Sequence, residues 1–231
     1  MTPPAAATKP SPEKGTAIQD GFLPPPVGSA PNLKDLLSDL EDPCYRVSLR
    51  TTEYLFAPKN RFQRQLRALP DGQILSKGDT LAEQEYSNHS PRVRKKFEYM
   101  IANGGRMLDA HRTKKFAQRV LPKIWDVSGP SITACSLPDD YIHYSQPRSL
   151  TVREWARLQT FPDWYEFRGP RTTGGRRRAG DPGVGSWDRE VPKYTQIGNA
   201  VPVQLARVVG EHFAELLAMG STERKVRNSN A

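Results

Sequence analysis

Cysteine is scarce in this 231-residue chain, which has only Cys44 and Cys135. Two thiols cannot build a disulfide framework, and without CxxC spacing no zinc site is expected. His89, His111, His143 and His212 also lack paired ligand spacing, so surface or hydrogen-bonded roles are their default. No metal is expected. Long apolar runs are missing as well. No stretch approaches the roughly 20 residues of a membrane span. The first residues hold no apolar signal core, and no arginine precedes Arg46, which argues against a targeting peptide. Cytoplasmic residence is the expectation. Apolar residues are few, at 36%, with a mean hydropathy of −0.67. Part of the chain is therefore expected to be loop or tail, or to need a partner surface. Acid is in deficit: 25 Asp+Glu against 34 Lys+Arg leave +9 at pH 7. That balance suits a polyanionic partner, though a merely soluble basic protein has it too.

Residues 1–31 carry eight prolines and few large apolar side chains, which reads as a disordered leader. In 32–42, Leu33, Leu36, Leu37 and Leu40 recur with helical period, Asn32 can cap the start and Pro43 stops the run. A helix is possible over 60–69, with Phe62, Leu66 and Leu69 on one side. The spacing predicts a firmer helix over 90–105: Ser90 caps, Pro91 opens and Gly104 or Gly105 closes it. Its stripe is Val93, Phe97, Met100 and Ile101. Arg92, Arg94, Lys95 and Lys96 decorate the rest, as a solvated face or as a DNA-facing one. Residues 168–190 are rich in Gly and Arg, and regular structure is not expected there.

Two motifs stand near the C-terminus. In "PRSLTVREWARLQTFPDWYEF" (147–167), Thr151 and Glu154 form a capping box. The helix then runs through Gln159 and stops before Pro162. Val152, Trp155, Ala156 and Leu158 supply apolar surface, while Arg153 and Arg157 need acidic, phosphate or solvent partners. In "YTQIGNAVPVQLARVVGEHFAELL" (194–217), Gly198-Asn199 reads as a turn at the mouth of a helix capped by Asn199. Val201, Leu205, Val208, Val209, Phe213, Leu216 and Leu217 have helical period, and Gly220 lies past the end. Such a mouth permits a carboxylate or phosphate but commonly holds only water.

Arg148 to Asp163 and Gln196 to Val201, in this order, resemble the ninth and tenth motifs of bacterial-type DNA cytosine-5 methyltransferases. "DDYIHYSQ" (139–146), "TTGGRRR" (172–178) and "LSDLED" (37–42) look similar to that family as well. The resemblance implies an S-adenosylmethionine-dependent α/β fold. This chain would carry only its C-terminal part: an irregular mixed α+β target-recognition region over 32–130, then helices over 131–219 that complete a Rossmann-like domain, then a flexible tail over 220–231. It also implies DNA cytosine-5 methylation in a restriction–modification setting, acting on double-stranded DNA. Asn199, Ala200 and Val201 would wall the cofactor, with Gln196 and Gly198 shaping the turn. Arg148, Thr151, Glu154, Arg157 and Gln159 would organise the domain. Arg171, Arg176, Arg177 and Arg178, with Arg92, Lys95 and Lys96, are the DNA-contact candidates.

The family's earlier motifs do not occur in this sequence: no D-L/F-x-G-x-G turn, no G-x-P-C-Q nucleophile loop, no E-N-V acid. "FQRQLR" (62–67) lacks the spacing of Q-x-R-x-R. Pro43-Cys44 lacks the flanking glycine and glutamine, and Cys44 has no base to activate it. No catalytic residue is therefore expected in this chain. The readings that follow are a split methyltransferase, whose second polypeptide carries the cofactor-binding and catalytic half, or an inactive truncated remnant acting at most as a DNA-binding module. An unrelated nucleic-acid binder is disfavoured, because RNP-type aromatic signatures are absent.

Overall fold

The computed structural model describes residues 31–109, 119–121, 141–172 and 191–229. The expected leader before Pro31, Cys135, His111 and the arginines Arg176, Arg177 and Arg178 lie outside them. Two compact units divide the chain, one spanning Ala30–Val203 and one joining Met1–Ser29 with Gln204–Ala231.

In the larger unit, helix α1 (Leu33–Leu37) opens with a full capping box between Asn32 and Asp35. It is shorter than its leucine spacing suggests, yet Leu33, Leu36, Leu37 and Leu40 are all buried. The one-turn α2 (Tyr45–Ser48) ends at Leu49 in a left-handed conformation. Residues 50–54 then pair with 79–85 as an antiparallel ribbon, through bridges Arg50–Glu85 and Glu53–Thr80. Between them sits α3 (Arg61–Arg67), capped by Asn60. Helix α4 (Pro91–Ala102) keeps the expected Ser90 cap, and Gly104 and Gly105 end it with φ of 62° and 84°. Its Phe97 and Met100 bury against Ile142 as a small second core, with Val93 and Ile101 beside them. Strands β1 (Arg119–Val120) and β2 (Tyr141–Ile142) form a short parallel pair.

Helix α5 (Val152–Leu158) is the axle of this unit. It has the predicted capping box, and Thr160 closes it at φ 57°, the left-handed stop glycine usually supplies. Trp155 at its centre is fully buried, with edge-on contacts to Tyr141 and Tyr194 at centroid distances of 5.9 and 5.8 Å. Helix α6 (Lys193–Asn199) packs on α5 through Tyr194 and Ile197. Residues on both sides of position 131 thus share one core of mixed α/β character.

In the other unit, the described element is α7 (Val203–Ser229). Two expectations are corrected here. Gly220 does not end the helix, which continues through what was read as a flexible tail. A mid-helix glycine costs only about 1 kcal/mol against alanine, and the surrounding Ala, Met, Glu, Arg and Lys outweigh it. Leu205, Phe213, Leu216 and Leu217 are exposed. Among the described residues, no helix is long and apolar enough to cross a membrane.

Because Trp155 makes contact with α6 and β2 at once, Trp155→Ala should cost about 3–5 kcal/mol. Urea denaturation followed by circular dichroism should show the lowered midpoint, and an unchanged midpoint would place the core elsewhere.

Candidate functional site: a charged core beneath a basic cleft

The polar residues of the first C-terminal motif are inside the protein, where each needs a partner. Arg148, Arg153, Glu154, Arg157 and Asp163 are all buried. Arg157 donates to two carboxylates at once: to Asp163 from Nε at 3.0 Å and Nη2 at 2.6 Å, and to Asp39 from Nη1 at 2.6 Å and Nη2 at 3.1 Å. Asp39 also accepts from Arg67 at 2.9 and 2.5 Å. The Tyr54 hydroxyl donates to Asp163 at 2.7 Å, while the Tyr54 ring lies 3.7 Å from the Arg67 guanidinium. Burial opposes charge on Arg157, but Asp163 and Asp39 outweigh it and hold its pKa well above the usual value. Asp163 is likewise held below the usual carboxylate range, burial being overcome by Arg157 and Arg153. Arg153 meets mainly carbonyls, those of Ala82, Pro162 and Tyr165, and burial lowers its pKa. Arg153 and Arg157 were expected to find acid, phosphate or solvent; Arg157 has found acid, and Arg153 chiefly backbone oxygen, with Asp163 at 4.0 Å.

A second cluster lies at the start of α5. Arg148 grips Glu154 with both nitrogens, at 2.7 and 2.6 Å. Glu154 also accepts the Thr151 N–H at 2.9 Å, and the Thr151 hydroxyl donates to Gln84 at 2.7 Å. Burial opposes ionisation of Glu154, but Arg148 prevails and its pKa falls to about 2. His143, fully buried, accepts at Nδ1 from the N–H groups of Ser145 and Gln146, both at 3.2 Å. That assigns its proton to Nε2, which has no hydrogen-bond partner and sits 3.7 Å from Glu154. This pair is not an ion pair: burial and Arg148 push the His143 pKa down to about 3, so the ring is neutral.

The second motif is built differently from its expectation. Gly198 and Asn199 are the last residues of α6, not a turn that caps α7. Pro192 starts the helix, Tyr194 and Ile197 bury at i and i+3, and the Ala200 N–H closes onto Ile197 O at 3.2 Å. Gln196 does shape this turn, donating to Arg168 O and Val191 O, both at 2.8 Å. The Val203 N–H, at the start of α7, is taken by the Gln159 carbonyl at 3.0 Å. Ala200 packs on the core, whereas Asn199 and Val201 are exposed.

Above the charged core lies a cleft of about 360 Å³ lined by Arg50, Thr52, Glu83, Glu85, Arg171 and Lys193, among others. Glu83, at φ 66°, receives Lys193 at 2.6 Å; left-handed backbone in a residue with a side chain costs about 1–3 kcal/mol. Arg171, expected to contact phosphate, is engaged by Glu85 at 3.5 Å and Ser87 at 2.9 Å. Arg92 and Lys95 are exposed and Lys96 is half-buried. Cys44 is exposed, with a free thiol. Sequence reading missed Asp39, Gln63 and Arg67, whose burial has no hydropathy signal; the i, i+4 spacing of Gln63 and Arg67 on α3 was the available hint.

Stability should follow these two clusters with pH. His143 is neutral when folded but titrates near 6.5 when unfolded, so its contribution is complete above pH 6.5 and is lost as pH falls toward 3. Glu154 loses its contribution as pH falls from 4.5 toward 2. Thermal melts should decline below pH 6.5 and more steeply below 4.5. His143→Asn should flatten the first decline; an unaltered profile would remove His143 from that role.

Comparison with known proteins places this architecture. A model of the C-5 cytosine-specific DNA methylase family matches residues 50–215. Type II methyltransferase M.DdeI of Desulfomicrobium norvegicum is 28% identical over 200 residues, covering 79% of this chain and 42% of that protein. Type II methyltransferase M.Eco47II of Escherichia coli is 39% identical over 97 residues, 40% of this chain and 18% of that protein. DNA (cytosine-5)-methyltransferase CMT1 of Oryza sativa subsp. japonica is 38% identical over 88 residues, 37% of this chain and 6% of that protein. The chain thus spans less than half the length of these relatives. Since the family match takes in the ribbon, α3 to α6 and the first half of α7, the chain belongs to the C-5 cytosine-specific DNA methylases.

Proposed function

We propose that this chain is the DNA-recognising and closing part of a DNA cytosine-5 methyltransferase of the restriction–modification kind, and that a second polypeptide carries the cofactor-binding and nucleophile-bearing half. The observation that carries this reading is the α6–α7 junction. Its inner side is finished, with Tyr194 and Ile197 buried and the Val203 N–H satisfied by Gln159. Its outer side presents exposed Asn199 and Val201. In this reading Asn199 and Val201 belong to one wall of a cofactor site, and the partner polypeptide supplies the other.

The family uses S-adenosylmethionine, which when bound supplies the methyl group. The residues here fit it only as a partial wall. Asn199, Ala200 and Val201 offer an amide side chain and apolar surface, but at the helix mouth first expected to hold a carboxylate the Ala200 N–H bonds Ile197 O and the Val203 N–H bonds Gln159 O. Gln196 and Gly198 hold the shape of that wall. Arg148, Thr151, Glu154, Arg157 and Gln159 touch no reacting atom in this reading. They fix α5, and through Asp39 and Gln84 they fix the region over 32–130 that reads DNA. A target cytosine must leave the base stack for chemistry at its ring, so a rigidly mounted reader has a direct purpose: it keeps the duplex in place while one base moves.

The DNA surface in this reading comprises Arg92 and Lys95 of α4, Lys96 beside them, and the arginines at 176–178. Arg171 lines the cleft as a tethered cation.

Two outcomes check this. Purified alone, the chain should bind duplex DNA but transfer no tritiated methyl group from S-adenosylmethionine; a polypeptide carrying the P-C-Q loop and cofactor-binding half should restore transfer. Robust methylation by the isolated chain overturns the split. Replacing Arg176, Arg177 and Arg178 together by Gln should flatten the slope of log affinity against log salt by up to about 2.7, at roughly 0.9 per phosphate contact. An unchanged slope clears them of phosphate contact.

A further inference from the structure

The turn Arg46–Arg50 is built in a way that the folded core does not require. Val47 is 86% exposed and Leu49 40%, and neither belongs to an apolar core cluster. Leu49 also holds a left-handed φ of 56°, a conformation that branched and bulky side chains resist. Strain and exposure at one spot commonly mark a functional one.

The turn is nevertheless firmly mounted. Tyr45 before it is buried and meets Tyr86 edge-on at 5.8 Å. The Tyr86 N–H donates to Leu49 O at 2.7 Å, and the Thr51 N–H to Gln84 O at 3.0 Å. The buried Thr51 hydroxyl donates to Asp42 at 2.6 Å. Two apolar side chains are therefore held outward on a rigid base, so little ordering entropy opposes their use in binding.

Charge selects the partner. Arg46 and Arg94 line a small recess on one side, together with Leu49. Arg50, Arg171 and Lys193 line the larger cleft on the other. Arg46 is answered by Glu98 at 2.7 Å, Arg171 by Glu85 and Lys193 by Glu83. Arg50 is exposed and has no ion pair among the described residues. Two apolar side chains are too small a surface for a stable protein interface, which takes about 800 Å² per partner. Apolar tips flanked by arginine do suit a nucleic-acid groove, where apolar side chains meet base edges while cations meet phosphate.

We propose that Arg46–Arg50 is a groove-contacting tip for duplex DNA, with Val47 and Leu49 against base edges and Arg50 on a phosphate. The proposal rests on the chain being the DNA-recognising part of a methyltransferase. The test is fluorescence anisotropy of a labelled duplex titrated with the full chain over a range of salt, for wild type, Arg50→Ala, Leu49→Gly and Val47→Ser, with a thermal melt of each.

Arg50→Ala should lower the salt slope by about 0.9. Leu49→Gly relieves the left-handed strain, so it should melt no lower than wild type yet bind at least about fivefold more weakly, the lower end of one lost base contact. Stability kept while binding falls separates contact from misfolding. Wild-type affinity and slope in Leu49→Gly and Arg50→Ala overturn the tip. So do variants that bind DNA normally but fail to support methylation with a catalytic half, which would put a protein partner there. If the wild type shows no salt-dependent binding, the DNA-recognising reading itself falls.

Discussion

Asp39 is the group around which this protein is organised. Its carboxylate takes Arg157 from α5 and Arg67 from α3, and Arg157 extends the set to Asp163. Three guanidiniums, counting Arg153, thus share two buried carboxylates, with Tyr54 and backbone carbonyls filling the remaining positions. Charges out of water cost several kcal/mol each unless paired and hydrogen-bonded. Such a cluster is intolerant of approximate geometry, and removing any one member strands the others. Its yield is positional, because a leucine-only core would let α1 slide on α5 whereas a fork gripping two carboxylates admits one register.

In the reading proposed above, the first C-terminal motif holds the architecture together without touching a reacting atom. Arg148, Thr151, Glu154 and Gln84 tie the start of α5 to the ribbon, and Arg157 ties its end to the turn after α1. The Gln159 carbonyl also accepts the Val203 N–H. One seven-residue helix therefore joins the region proposed to read DNA with the residues proposed to wall the cofactor.

The parts legible in the sequence were those governed by local rules. Caps at Asn32, Ser90 and Thr151, the glycine stop at Gly104 and Gly105 and the apolar stripe of α4 follow from side chains within a few positions of one another. The partners of Arg157 did not follow, because Asp39 lies over a hundred residues away and nothing local marks it as buried. Gly198-Asn199 misled for the opposite reason. The pair has the composition of a turn, but Tyr194 and Ile197 bury three residues apart and pull the backbone into helix, an override of propensity by packing. The break before α7 comes instead at Ala200, whose extended backbone leads into Pro202. The strain at Leu49 and Glu83 was equally invisible, since neither residue type announces a left-handed backbone.

The cluster at Asp39 has a thermal consequence. Hydration of charged groups becomes less favourable as temperature rises, so the penalty for holding Arg67, Arg157, Asp39 and Asp163 away from water shrinks on heating while their attraction persists. Apolar contacts gain no comparable advantage. The seam between the turn after α1 and helix α5 is therefore the part of this core that warming weakens least, and fraying on the way to unfolding begins away from it.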